Sequence, residues 1–164
     1  MLTTDMKAVL NAQRLCYAAT ILPDGKPSVS PKGVRIFDDT RLFLCDMTSP
    51  NTVKNLRANP FIELNVVDIF SRRGYRFSGE ASIHTDDALY ETAKQRVHDE
   101  GIPFKINSII LVKLLKASEL ISPHYDFVHD EWEIRKIYKA RREQLDKEFE
   151  KHIASHGPIH EKLL

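Results

Sequence analysis

The chain has 164 residues, 42% of them hydrophobic and 29% charged, which is enough apolar material for one folded domain with a sizeable core. Its 24 basic and 23 acidic side chains leave a net charge of +1, which argues against a protein built chiefly to bind a nucleic-acid backbone. No apolar span approaches the ~20 residues that cross a bilayer, and no apolar leader is visible, so a cytoplasmic protein without membrane contact is the expectation.

Residues 3–13 (TTDMKAVLNAQ) predict a short helix opened by a Thr or Asp cap, with Met6, Val9 and Leu10 on one face. LCYAATI at 15–21 is a compact apolar run that predicts a buried strand, ended by the turn PDGK. PSVSPKGVRIF at 27–37 forms the second limb of a hairpin, and after DDT a third strand follows at 41–47 (RLFLCDM). SPNTVKNLRANP at 49–60 predicts a short helix between two prolines.

FIELNVVDIF at 61–70 is a fourth strand, rich in β-branched residues. Beyond the basic loop SRRG, Tyr75, Phe77, Gly79, Ala81 and Ile83 alternate with polar residues, the period of a sheet with one buried face. TDDALYETAKQRVHDEG at 85–101 is a capped helix closed by Gly101, and INSIILVKLL at 106–115 is the last strand. From His129 the chain becomes a long charged helix with Ile134, Ile137, Tyr138, Leu145, Phe149 and Ile153 along one face. Short turns between strands, with helices between and after them, predict a mainly β, α+β fold: an antiparallel barrel decorated by helices. Two segments are expected, a barrel domain over 1–128 and a charged helix over 129–164 that packs on the barrel or on a partner subunit.

Cys16 and Cys45 sit in apolar runs without CxxC spacing and read as small buried hydrophobes. His124, His129, His152, His156 and His160 form no tight ligand pattern; His152 and His156 are spaced i, i+4 on the last helix, but no metalloprotease pattern accompanies them and they read as a solvated face, so no metal site is expected. Residues 129–164 carry eight Lys/Arg and eight Asp/Glu, so no cationic stripe for nucleic acid survives.

The helix at 49–60 carries the chemistry. A helix N-terminus presents unpaired N–H groups and the positive end of the peptide dipoles, and Ser49, Asn51 and Thr52 add side-chain donors. Lys32 and Arg35 on the second strand, with Arg72, Arg73 and Arg76 around the SRRG loop, place cations on neighbouring elements. Together they describe an anion site for a phosphate, set against the simpler reading in which Ser49 or Asn51 only caps the helix.

The run ATILPDGKPSVSPKGVRIF-DDT-RLFLCDMTSPNTVKNLRANPFIELNV, followed by GYRFSGEA, resembles the pyridoxamine 5'-phosphate oxidase-like, FMN-binding split barrels over roughly residues 8–116. The resemblance implies a split β-barrel holding FMN in the cleft of a homodimer. It implies that Ser30, Pro31, Lys32, Gly33, Val34 and Arg35 lie along the flavin, that Cys45 and Asp46 meet the ribityl-phosphate region, and that Ser49, Asn51 and Thr52 receive the phosphate. Where the vitamin B6 oxidase has an Arg-Lys pair this chain has Asn51-Thr52, and Gly74 replaces a glutamine, with Arg73 or Arg76 as candidate compensation. The C-terminal oxidase signature is absent; Trp132 is only a superficial echo. These departures argue against oxidation of the vitamin itself. The expectation is an FMN-dependent oxidoreductase acting on a small organic substrate. The alternatives are a flavin-binding electron carrier without turnover, or the same barrel holding F420 or haem.

Overall fold

The structure, a computed structural model, describes residues 1–156, with the side chain of His156 outside the description. The chain forms two compact units, Met1–Asp68 with Gly74–Leu120, and Ile69–Arg73 with the segment from Ile121 onward. The division therefore falls at Ile121 rather than at 129, and the second unit also takes the five residues around the basic loop.

The first unit is a closed six-stranded barrel. Its elements are α1 (Thr4–Gln13), β1 (Leu15–Ile21), β2 (Pro27–Asp38), β3 (Arg41–Asp46), α2 (Pro50–Ala58), β4 (Phe61–Asp68), β5 (Arg73–His84), α3 (Ala88–Asp99) and β6 (Ser108–Ile121). The strands close in the order β1-β2-β3-β6-β5-β4. Thr3 Oγ1 accepts from Met6 N at 3.2 Å and opens α1, while Asp87 accepts from Tyr90 N at 2.8 Å and opens α3. β6 runs six residues past its expected end, because its distal half is exposed and so lacks the apolar alternation that marks a strand in sequence.

Alternate residues of the strands meet inside. Cys16 and Ala18 of β1, Leu42 and Leu44 of β3, Leu64 and Val66 of β4 and Phe77 of β5 are all at most 1% exposed. Burying each large side chain of this set contributes about 1.5–3 kcal/mol. A second apolar cluster lies on the outside of β3 and β6, where Phe43, Ile109 and Leu111 meet Ala93 and Val97 of α3.

Two backbone features shape the barrel. Residues 27–33 of β2 pair with β1, whereas residues 34–38 pair with β3, so the strand changes partner between Gly33 and Val34. Pro27 and Pro31 lie in the first half, where a missing N–H is tolerated if that edge has no ladder to complete. The second feature is Gly74. A Cβ there would overlap the Val66 carbonyl oxygen and come within 2.8 Å of Val67 Cα, so β5 approaches β4 too closely for any side chain. That is why no glutamine can stand at this position.

In the second unit, Ser122 N donates to Arg72 O at 3.0 Å and Tyr125 Oη to Ser71 O at 2.8 Å. Residues Pro123–Asp126 form a 3-10 turn, and α4 (Glu131–His156) follows. Arg73 and Arg135 both reach Glu131, and the Arg72 guanidinium stacks 4.9 Å above the Tyr138 ring. No helix among the described residues is long and apolar enough to cross a membrane.

Candidate functional site

The change of partner in β2 opens a cavity of about 350 Å³, within the size range of small-molecule sites. Pro31, Lys32, Gly33 and Arg35 form one wall, and Cys45, Met47, Thr48 and Ser49, which lead out of β3 into α2, form another. Ile102 and Phe104 close the third side. They are carried there by Gly101, whose φ of +81° turns the chain sharply off the end of α3.

The floor of this cavity is fixed by Asp46. One carboxylate oxygen accepts from Ser49 N at 2.7 Å and the other from Ser108 Oγ at 3.2 Å, while Asn107 Nδ2 donates to Met47 O at 2.7 Å. The turn from β3 into α2 is thereby tied to the start of β6. Asp46 is 7% exposed and holds the cavity-lining turn from behind.

Two cations face the cavity in different states. Arg35 Nε donates to Glu100 Oε2 at 2.9 Å, and the same oxygen lies 3.1 Å from Arg14 Nη1, a triad carrying one net positive charge. Among the described residues, the Lys32 ammonium hydrogen-bonds to neutral groups, Ser30 Oγ at 2.8 Å and the Pro31 carbonyl at 3.3 Å. Burial pulls the Lys32 ammonium below the usual lysine range, with the nearby Cys16 and Asp46 acting the other way. A partly desolvated ammonium whose hydrogen bonds go to neutral acceptors can take an anion as a further partner. The Ser49 hydroxyl makes no capping bond to its own helix, so the first turn of α2 also keeps donors available.

The expected site residues separate into three groups. Pro31, Lys32, Gly33, Arg35, Cys45 and Ser49 line the one cavity, and Ser30 adjoins it through its bond to Lys32. Val34, Asp46 and Thr52 face inward. Val34 is 1% exposed among core side chains, and Thr52 is buried with its hydroxyl 3.4 Å from Ser30 Oγ. The reason for Thr52 lies in the helix period. Thr52, Asn55 and Leu56 form the buried face of α2, with Asn55 Nδ2 donating to Thr20 Oγ1 at 3.0 Å. Asn51 and Arg73 fall outside the cavity, Asn51 on the exposed side of α2 and Arg73 in the second unit, paired with Glu131. Arg76, the other candidate for compensation at Gly74, pairs with Glu63 on β4.

Sequence reasoning missed Met47, Thr48, Ile102 and Phe104. The last two had a usable signal, an apolar pair just beyond a helix-ending glycine in a segment with no strand or helix of its own to bury it. Phe104 is 62% exposed.

The cavity lining holds neither carboxylate nor histidine, and Cys45 is its one thiol. Burial raises that thiol above its ordinary range, so it stays protonated at neutral pH. No group of three or more potential metal ligands occurs among the described residues, and His160 lies outside them. The arrangement can hold an anionic group between Lys32, Ser49 and Arg35, with a flat apolar body against Pro31, Met47, Ile102 and Phe104.

Comparison with known proteins gives the same architecture. The family profile described as pyridoxamine 5'-phosphate oxidase matches residues 2–107. HupZ of Group A Streptococcus is 31% identical, with a TM-score of 0.68 over 74% of this chain and 96% of that one. A Lactobacillus delbrueckii protein provisionally named as a pyridoxamine 5'-phosphate oxidase is 25% identical, with a TM-score of 0.59 over 71% of this chain and 93% of that one. An FMN-binding protein from Syntrophomonas wolfei, 14% identical, shares the fold with a TM-score of 0.61 over 70% of this chain and 82% of its own. No curated protein matches the chain. The profile match, the closed six-stranded barrel and the cavity beside β2 agree: this chain belongs to the pyridoxamine 5'-phosphate oxidase-like, FMN-binding split-barrel family.

Proposed function

We propose that this chain is an FMN-dependent oxidoreductase acting on a small organic substrate, with the flavin phosphate held by Lys32 and Ser49. The observation that supports this most is the convergence on one cavity of a lysine with no ion-pair partner among the described residues, the Ser49 hydroxyl with no capping bond, and an apolar wall. The flavin, when bound, carries the hydride or the electrons. The protein's own residues bind and orient it. Lys32 and the Arg14–Glu100–Arg35 triad bring two net positive charges and the Asp46 carboxylate behind the lining brings one negative, leaving one net positive charge to face a phosphate. Met47, Ile102 and Phe104 exclude water from one side of the ring.

The active unit in this reading is a homodimer. Leu15, Tyr17 and Ile21 of β1, Val29 of β2, and Phe61 and Val67 of β4 are all exposed apolar residues. Pairing sets Ala19 opposite both Val29 and Glu63, and Tyr17 opposite Asn65, so these side chains share one outward face. A patch of this kind on a sheet favours association. The exposed Phe104 then completes the cavity beside a partner.

The test is the visible spectrum of freshly purified protein, followed by titration of stripped protein with FMN and by anaerobic addition of NADH or NADPH. Two flavin bands that bleach with a nicotinamide donor and return with an electron acceptor are expected. Failure to bind added FMN overturns the reading. Tight FMN binding without bleaching by any donor turns it into an electron carrier.

A further inference from the structure

A second cavity, of about 100 Å³, adjoins the one beside β2 and shares Arg35 with it. Three guanidiniums line it from three elements: Arg14 at the C-terminal end of α1, Arg35 of β2 and Arg96 of α3. Glu100, which bridges Arg14 and Arg35, is the carboxylate of the lining, while the neighbouring Asp99 lies outside it and accepts from Gln95 at 2.7 Å. Arg96 is held by neutral groups. Its Nη1 donates to the Phe37 carbonyl at 3.0 Å, and its guanidinium lies 4.9 Å from the centre of the Phe37 ring. Arg41 also stacks on Phe37 and is neutralised by Asp38. Residues at the C-terminal ends of α1 and α3 belong to the lining, and each helix end brings about half a negative charge. Set against three guanidiniums and one carboxylate, the helix ends leave about one positive charge.

We propose that this cavity is an oxyanion site that takes a single phosphoryl group, separate from the site assigned to the flavin phosphate. Arginine forks match phosphate oxygens with paired N–H donors, and forks arriving from three elements suit a tetrahedral group better than a planar carboxylate. In the contacts above each guanidinium commits one nitrogen, Arg35 Nε, Arg14 Nη1 and Arg96 Nη1, so each keeps further N–H donors for a ligand. The volume is a few times the ~30 Å³ that one water occupies, room for a phosphoryl group but not for a nucleoside. The Arg14 side chain is 57% exposed, so the mouth is open and the rest of an ester can stay in solvent. Glu100 opposes such a ligand, and its carboxylate is what keeps the site weak when no anion is supplied. Free phosphate and a phosphate monoester share this chemistry, and the test separates them.

The test uses the full chain carrying Lys32→Met, which removes the lysine assigned to the flavin phosphate, so the outcome stands or falls separately from the oxidoreductase reading. Calorimetric titration with inorganic phosphate at fixed ionic strength is expected to show one saturable site. Adding Arg96→Ala weakens it by about fivefold, the loss of a charge-assisted bond at a partly exposed site. Adding Glu100→Gln instead tightens it by about as much, because a like charge is removed. The opposite signs separate ligand contact from damage to the fold, since both substitutions break native contacts and damage would weaken binding in both. AMP, with adenosine as its control, identifies the source. AMP binding no tighter than phosphate assigns the site to the free ion, and tighter binding assigns it to an ester; either result upholds the site. Absence of binding by both phosphate and AMP overturns the proposal, as does adenosine binding as tightly as AMP, unchanged affinity in Arg96→Ala, or weaker binding in Glu100→Gln.

Discussion

Replacing Lys32 by methionine keeps the length of the side chain and removes its charge, and its consequence can be worked from the contacts. A hydrogen bond from an ammonium to a charged partner contributes about 1.5–3 kcal/mol. Against this, Lys32 gives up Ser30 Oγ and the Pro31 carbonyl when it turns to a ligand, two neutral bonds of about 0.5–1 kcal/mol each, one of them already long. The net loss is about 0.5–1 kcal/mol, or roughly 2–5-fold in Kd for FMN. Quenching of flavin fluorescence at fixed ionic strength measures it. Riboflavin, the same ring without the phosphate, is the control, and its affinity is expected to be nearly unchanged by Lys32→Met. Equal losses for FMN and riboflavin, or no loss for either, would refute the placement of the phosphate at Lys32. Salt is expected to weaken FMN binding only modestly, because a partly desolvated pair is poorly screened.

Three further expectations concern the scaffold. Gly74→Ala forces a methyl group into the Val66 carbonyl, and overpacking of this kind costs about 1–3 kcal/mol; urea unfolding showing an undiminished midpoint would contradict the close approach of β5 to β4. Asn55→Ala leaves the buried Thr20 hydroxyl without its partner and is expected to cost about 1–3 kcal/mol in the same assay, with Thr20→Val/Asn55→Leu less damaging than either polar group left alone. Burial pushes the Cys16 thiol from 9.0 up to about 12. The unfolded chain therefore releases this proton while the folded one keeps it, so stability is unaffected below about pH 9 and falls as pH rises from there toward 12. Comparing wild type with Cys16→Ala at pH 8 and pH 10 isolates the effect, and equal slopes would refute it. Native protein should likewise resist thiol labelling at Cys16 at pH 8.

The order of strands and helices was legible in the sequence because each has a local cause. The alternation of Tyr75, Phe77, Gly79 and Ala81 reports a half-buried strand, and Asp87 announces α3 through a bond three residues long. So was the cavity in outline, since Lys32, Arg35 and Ser49, polar or charged residues on or next to a predicted helix start, all line it.

What only the tertiary structure decided is which side chains at those positions line the cavity. Thr52 and Asn51 are adjacent in sequence and chemically alike, yet the first is buried under Ser30 and the second exposed, because the phase of α2 is set by the barrel surface it packs on. Arg35 and Lys32 look equivalent until Glu100, 65 residues away from Arg35 in the chain, takes one of them as a partner. Gly74 reads as a lost glutamine until the Val66 carbonyl is seen to occupy the space. Local pattern determines that an element exists. Its rotation, its charge state and its room for a side chain depend on groups distant in sequence, and those are assigned only when the barrel closes.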